Sequence, residues 1–172
     1  MRDLSRVFEG VYQSNYEMFG TLGQFIKLWR NEATRVYADR LINFEDREVV
    51  VSDLIPKLIK KHFSEQSELV LQEPLLFGDF RYADPIEHKY TEPRLYEDLE
   101  SYDFVTTKFN QLLRDYNEDR VPMNLVLFNY AIDHLTRIHR IFRMPRGNAL
   151  LIGIGGSGKQ SLSKLASFIM RS

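Results

Sequence analysis

Apolar residues along the first half of the chain recur at three- and four-residue spacing. Over residues 3–19 the series is Leu4, Val7, Phe8, Val11 and Tyr12, extended by Tyr16, which predicts a helix with one apolar face. Gly20-Thr-Leu-Gly breaks the pattern. Residues 22–44 resume it with Phe25, Leu28, Trp29, Ala33, Val36, Tyr37, Leu41 and Phe44, a stripe wide enough to bury against other helices. Trp29 reads as a core anchor, with ligand stacking as the lesser alternative. Residues 46–63 are helical by the spacing of Leu54, Ile55, Leu58, Ile59 and Phe63. Pro56 is awkward inside a helix, so it suits the first turn of a second helix capped near Ser52 or Asp53.

Residues 65–94 lose the periodicity. Pro74, Pro85, Pro93 and Gly78 argue against long regular elements there. The short apolar core of Glu73-Pro-Leu-Leu-Phe-Gly-Asp-Phe fits either a strand or a tucked loop. Helical spacing returns over 100–116 with Phe104, Val105, Phe109, Leu112, Leu113 and Tyr116. A further helix is predicted from Pro122 to about Phe142, burying Leu127, Ala131, Leu135, Ile138, Ile141 and Phe142.

The last stretch changes character. Ala149 to Ile152 is an apolar run with the length of a buried parallel strand. Gly153-x4-Gly158-Lys159 follows and matches most of a phosphate-binding loop. Leu162, Leu165, Ala166 and Ile169 then recur at helical spacing. Glycines let backbone amides approach an anion, and a helix start adds unpaired donors and partial positive charge. Lys159 is placed to reach the β and γ phosphates. The competing reading is a glycine-rich turn that binds nothing.

One position departs from that pattern. Ser or Thr, whose hydroxyl holds Mg²⁺, is expected after the lysine; here Gln160 stands there, with Ser161 next. One residue rotates a helical side chain by roughly 100°, so Ser161 is not a simple substitute. Phosphate binding with slow or absent Mg²⁺-assisted hydrolysis is the expectation. The acidic strand and water-positioning residue of a P-loop enzyme would have to lie beyond residue 172. The fold expected is mainly α, followed by the first β-strand, P-loop and α-helix of a truncated α/β P-loop NTPase module. The division is drawn near residue 120, giving regions 1–120 and 121–172.

Composition narrows the alternatives. The 172 residues carry 23 Lys+Arg against 24 Asp+Glu, a net charge of −1, which disfavours a globally basic nucleic-acid binder. Cysteine is absent, so no disulfide framework exists. No signal peptide and no membrane-spanning apolar run is visible. Glu97, Asp98, Glu100 and Asp103 read as a solvated acidic helix start rather than paired catalytic carboxylates. Arg137, His139, Arg140, Arg143 and Arg146 read as charges complementing a helix C-terminus, with a phosphate or subunit cluster as the alternative. Arg30, Glu32, Arg35, Asp39, Arg40, Asp46 and Arg47 suit surface ion pairs. Arg2 and Arg6 either face a partner or phosphate, or are simply solvated. His62, His88, His134 and His139 show no zinc-ligand spacing.

The stretch Pro145-Arg-Gly-Asn-Ala-Leu-Leu-Ile-Gly-Ile-Gly-Gly-Ser-Gly-Lys-Gln-Ser-Leu resembles the phosphate loop of the fourth AAA+ module of axonemal dynein heavy chains. Met123-Asn-Leu-Val-Leu-Phe, Ala131, His134 and Arg137-Ile138 resemble the helix that precedes it. Arg2-Asp-Leu-Ser-Arg-Val-Phe, Leu28-Trp29 with Glu32, Arg35-Val-Tyr-Ala-Asp-Arg-Leu and Leu76-Phe-Gly-Asp-Phe resemble the C-terminal helical lid of the third module. The resemblance spans essentially the whole chain. It implies nucleotide binding by Gly153, Gly155, Gly156, Ser157, Gly158, Lys159, Gln160 and Ser161, with ATP or ADP and Mg²⁺ near Gln160 or Ser161, and a lid nucleotide sensor at Arg2. The Gln-Ser after the lysine follows the axonemal pattern. The parent implied is an ATP-driven, minus-end-directed microtubule motor of the cytoskeleton of cilia and flagella, whose first module is the main hydrolytic site and whose third and fourth are regulatory. Neighbouring AAA+ modules, intermediate and light chains and microtubules are the implied partners; nucleic acid and membrane are not. As a truncated piece lacking the microtubule-binding stalk, the segment is expected to be inactive by itself.

Two other readings compete. One is a free-standing helical interaction or scaffold protein with a relic P-loop. The other, a small P-loop kinase or GTPase, fails because only 13 residues follow Lys159.

Overall fold

In the computed structural model, residues 1–84, 89–90 and 94–171 are described; Pro85, His88 and Pro93, singled out above, lie outside them. The chain forms two compact units, Met1–Leu75 and Leu76–Ser172. This packing boundary follows the irregular stretch, whereas the line near residue 120 follows motif content.

The first unit is helical. Helix α1, Arg2–Val11, is shorter than the spacing predicts: a turn follows Val11, and Tyr16–Met18 form a separate 3-10 turn capped by Asn15. Helix α2, Leu22–Ala33, starts at a capping box in which Thr21 accepts from the Gln24 N–H and Gln24 reaches back to Thr21. It continues through a π turn at Thr34–Ala38 and stops short of Phe44. Phe44 instead opens α3, Phe44–Glu48, which runs through a π turn, Val49–Leu54, into α4, Ile55–His62. Pro56 therefore sits in a continuous helical path, just after the widened turn, and the cap expected near Ser52 or Asp53 is not formed. Helix α5, Ser67–Val70, completes the unit.

Ile26, Ala33, Ile55, Ile59 and Val70 form the first unit's core, with Trp29, Tyr37 and Phe63 packed against it. Two residues expected on the surface are buried. Arg30 donates to the carbonyl oxygens of Val70 and Gln72 and pairs with Glu73. Glu32 accepts from the Asn31 amide and lies where a side chain on Gly10 would have to go. Arg35 and Arg47 both pair with Asp39, and Arg40 pairs with Asp3.

The second unit begins with the irregular stretch. Strand β1, Phe77–Gly78, pairs antiparallel with β4, Glu97–Asp98; between them β2, Ala83–Asp84, pairs with β3, Lys89–Tyr90. The segment left open above is both a short strand and a tucked loop, for Leu76, Phe77 and Phe80 are buried. Helix α6, Tyr102–Asp119, starts at Ser101, whose hydroxyl accepts from the Phe104 N–H.

Helix α7, Asn129–Arg143, begins later than Pro122 predicts. Asn117 holds the backbone before it extended: its Oδ1 accepts from the Met123 N–H at 2.9 Å and its Nδ2 donates to the Met123 carbonyl at 3.2 Å. Helix α8, Lys159–Arg171, buries Leu162, Leu165, Ala166 and Ile169, the face its spacing predicts. Those residues share a core with Phe80, Phe109, Leu112, Ile132, Leu135 and Ile138. The chain is thus mainly helical, with strands two residues long among the described residues. No described helix is long and apolar enough to cross a membrane.

Candidate functional site

The predicted phosphate loop lies between an extended segment and α8. Ala149–Ile152 carries no strand assignment. Leu151 packs on the core while Leu150 and Ile152 are 86% and 88% exposed. The segment has the alternating burial of a strand but no hydrogen-bonded neighbour among the described residues, and a ladder defines a strand. The expected buried strand is corrected to an extended segment with one apolar face outward.

The loop itself has a defined shape. Gly156 and Gly158 take φ of +77° and +76°, a region where a Cβ is strained. Neither has a neighbour within 4 Å of a built Cβ, so backbone conformation alone demands glycine there. At Gly153 a Cβ would lie 3.1 Å from Ser157 Oγ and 3.4 Å from Lys159 Nζ, close enough that these side chains would have to give by a few tenths of an ångström.

Lys159 folds back into the loop. Its Nζ donates to the carbonyl oxygens of Gly153 at 2.7 Å and Ile154 at 2.6 Å, and to Ser157 Oγ at 3.0 Å. The ammonium is thereby held inside the concavity that starts α8, whose first turn is closed by Leu162 N–H to Gly158 O at 2.9 Å. Gln160 is exposed and Ser161 half-buried in that first turn. The structure brings together Gly153, Gly155, Gly156, Ser157, Gly158, Lys159, Gln160 and Ser161. Arg2 belongs to the first unit, exposed at the start of α1.

This donor set suits a phosphate chain. Glycine-held amides, a helix start and a primary ammonium all favour anionic oxygen. For Mg²⁺ the loop offers the Gln160 amide oxygen or the Ser161 hydroxyl, both weaker than a Ser or Thr hydroxyl directly after the lysine.

Behind the loop, α8 is tied to a buried polar junction. Asp79, just after β1, receives Arg94 Nη2 at 3.1 Å, His139 Nε2 at 2.7 Å and the Arg143 guanidinium. Arg94 also donates from Nη2 to the Ile169 carbonyl at 3.1 Å and from Nη1 to the Met170 carbonyl at 3.2 Å. Phe80 lies against the His139 ring at 5.2 Å and the Phe109 ring at 4.7 Å, and Arg143 sits over Tyr96 at 5.0 Å. Burial, reinforced by Arg94 and Arg143, pushes the His139 imidazole down to about 4 against the pull of Asp79, so it is neutral near pH 7. Its Nε2–H then donates to Asp79.

His139 is therefore a buried partner of Asp79, and Arg143, in the last turn of α7 as expected, is a half-buried one. Spacing hid this because their common partner lies 60 residues away. The signal available was their four-residue separation, which places both on one face of α7.

Glu97 is corrected likewise. It is buried and accepts from Arg81 Nε at 2.8 Å, while Arg81 Nη2 donates to the Asp98 carbonyl and the guanidinium lies 4.6 Å over the Phe104 ring. Burial raises the Glu97 carboxyl above the usual range although Arg81 opposes it. Glu100 and Asp103 behave as predicted, exposed just before and within the first turn of α6. In the first unit, Trp29 is half-buried and lines an apolar cleft of about 330 Å³ with Phe8, Val11, Tyr12, Ser14 and Phe25.

Residues 1–73 match the family described as an AAA+ lid domain, and residues 123–172 match the P-loop containing dynein motor region D4. Over 98% of its length the chain is 51% identical to dynein axonemal heavy chain 10 of Homo sapiens. It is 46% identical to the dynein-1-alpha heavy chain of the flagellar inner arm I1 complex of Chlamydomonas reinhardtii and 39% identical to that organism's flagellar outer arm dynein beta chain. The chain spans 4% of the length of each of these relatives.

Proposed function

The chain belongs to the axonemal dynein heavy chains as a motor-region segment, an AAA+ lid followed by the D4 P-loop region, and on that premise we propose that its loop is a nucleotide site within an ATP-driven microtubule motor. The observation that carries the proposal is Lys159 Nζ held within a loop whose Gly156 and Gly158 adopt positive φ, directly before α8. Backbone amides of residues 155–159 would receive the phosphate oxygens, and Lys159 would exchange its two carbonyl contacts for them.

Mg²⁺, held near Gln160 or Ser161, supplies charge neutralisation of the phosphates when bound. With Gln160 in place of Ser or Thr, the loop holds ATP or ADP with little hydrolysis, consistent with a regulatory rather than a main catalytic site. Its location is the axoneme of a cilium or flagellum. Its partners are neighbouring AAA+ modules and, through the parent motor, intermediate and light chains and microtubules. Movement is minus-end-directed. The module line near residue 120 and a nucleotide-sensing role for Arg2 belong to the same reading.

The test is hydrogen exchange on the intact heavy chain, following the peptide over residues 153–164 during an ADP titration. Protection that saturates with ADP and disappears in Lys159→Ala supports the site. Protection unchanged by Lys159→Ala, or none in the unsubstituted chain, would mean that the loop holds no nucleotide through Lys159 and would overturn the proposed site.

A further inference from the structure

We propose that Asp79 and Arg94 form a positioning junction for the P-loop helix and so set nucleotide affinity at the loop, an inference that rests on the nucleotide-site reading above. The argument starts with geometry. Helix α8 carries Lys159 in its first turn, and two carbonyls of its last described turn accept from Arg94. The same Arg94 nitrogen that reaches Ile169 also reaches Asp79, and Asp79 is held in turn by His139 and Arg143 of α7. One carboxylate therefore fixes α7, α8 and the stretch between β1 and β4 against one another.

The placement of the residues gives the junction its meaning. Asp79 and Arg94 both lie on the irregular stretch that the two-residue pair β1–β4 closes, not on the helices they hold. Phe80 and Tyr96 cover the junction from that same stretch and are almost wholly buried. A displacement of the stretch therefore pulls directly on α8 at Ile169 and Met170. A helix moves as a stiff rod over its 13 residues, so a tilt at Ile169 is carried to Lys159. Phosphate recognition by backbone amides depends on their convergence to within a fraction of an ångström. Arg94 and Asp79 touch no phosphate; they act through α8.

The substitutions Arg94→Lys and Asp79→Asn separate positioning from mere stability. Lysine keeps a charge for Asp79 but lacks the forked donors needed to hold the carboxylate and both carbonyls together. In the intact heavy chain, with ADP as the probe, Arg94→Lys is expected to raise the ADP concentration at half-protection of residues 153–164 by about tenfold. Nucleotide-free exchange across Leu165 and Ala166 is expected to stay as in the unsubstituted chain. Asp79→Asn is expected to shift the same midpoint. If it instead unfolds α7 and α8 without nucleotide, Arg94→Lys decides. An unchanged ADP midpoint in Arg94→Lys, with Lys159→Ala still abolishing protection, overturns the junction and leaves the nucleotide site standing. Protection that Lys159→Ala does not remove overturns both.

Discussion

His139 Nε2 lies 2.7 Å from Asp79 Oδ1, with the imidazole 1% exposed. The imidazole enters this contact neutral, because burial holds His139 down to about 4 from its ordinary 6.5. In the unfolded chain the imidazole gains its proton near pH 6.5; in the folded chain it resists until about 4. The unfolded state thus binds more protons across that window, and stability falls as pH drops through it. The contribution is complete above pH 6.5 and, for 2.5 units, on the order of 3 kcal/mol. Hydrogen exchange of α7, corrected for intrinsic rates, is expected to accelerate between pH 6.5 and 4. His139→Gln, whose amide nitrogen reaches near the ring Nε2 position and does not titrate, is expected to flatten that dependence.

Gly156, with its positive φ, and its neighbour Gly155 make a contrast within the loop. Gly156→Ala forces a Cβ into the left-handed region, costing roughly 1–2 kcal/mol. Gly155 has no positive φ and no atom within 4 Å of a built Cβ, so Gly155→Ala leaves the nucleotide-free loop as it is. Exchange of residues 153–160 without nucleotide is expected to rise in the first variant and to stay unchanged in the second.

Gln160→Thr places a hydroxyl directly after Lys159 on the exposed first turn of α8. The expected result is a several-fold stronger dependence of ATP affinity on Mg²⁺ and faster hydrolysis at this loop. Titration of ATP with and without Mg²⁺, read on the 153–164 peptide, measures the first, and site-resolved turnover measures the second. Unchanged values in both would show that Gln160 is not what limits the site.

Gly10→Ala would set a methyl 1.7 Å from the Glu32 carboxylate, between α1 and α2. Glu32 is fully buried, so the clash has no outward escape. A loss of about 1–3 kcal/mol is expected, read as faster exchange in both helices.

Periodicity made α2, α6 and α8 legible, because each has one dominant apolar stripe and little else competing for its backbone. It set the start of α7 too early, since Pro122 is an acceptable first helical residue and only the distant Asn117 shows why Met123 stays extended. The glycine-lysine loop was legible as a motif, because glycine positions and a lysine ahead of a helix form a local pattern, and the match to the P-loop containing dynein motor region D4 covers it. The junction around Asp79 was not. Its members come from two positions of the irregular stretch and one helix, and local charge spacing says nothing of a pairing made over 60 residues. Burial of Arg30, Glu32 and Glu97 escaped for the same reason, since an ion pair or a short interhelical approach made at long range is what permits it.

The π turn at Val49–Leu54 inserts one more residue than an α turn would hold. It works as a phase shifter: every side chain after it is rotated about a third of a revolution from where an uninterrupted helix would carry it. That rotation turns Ile55 and Ile59 inward and leaves Leu54 and Leu58 half out. Deleting Val51 would convert the wide turn to an ordinary one and keep α4 in phase. Deleting a residue from α2 would swing its buried face toward water. Of two equal deletions in neighbouring helices, only the one inside the wide turn has slack to absorb it.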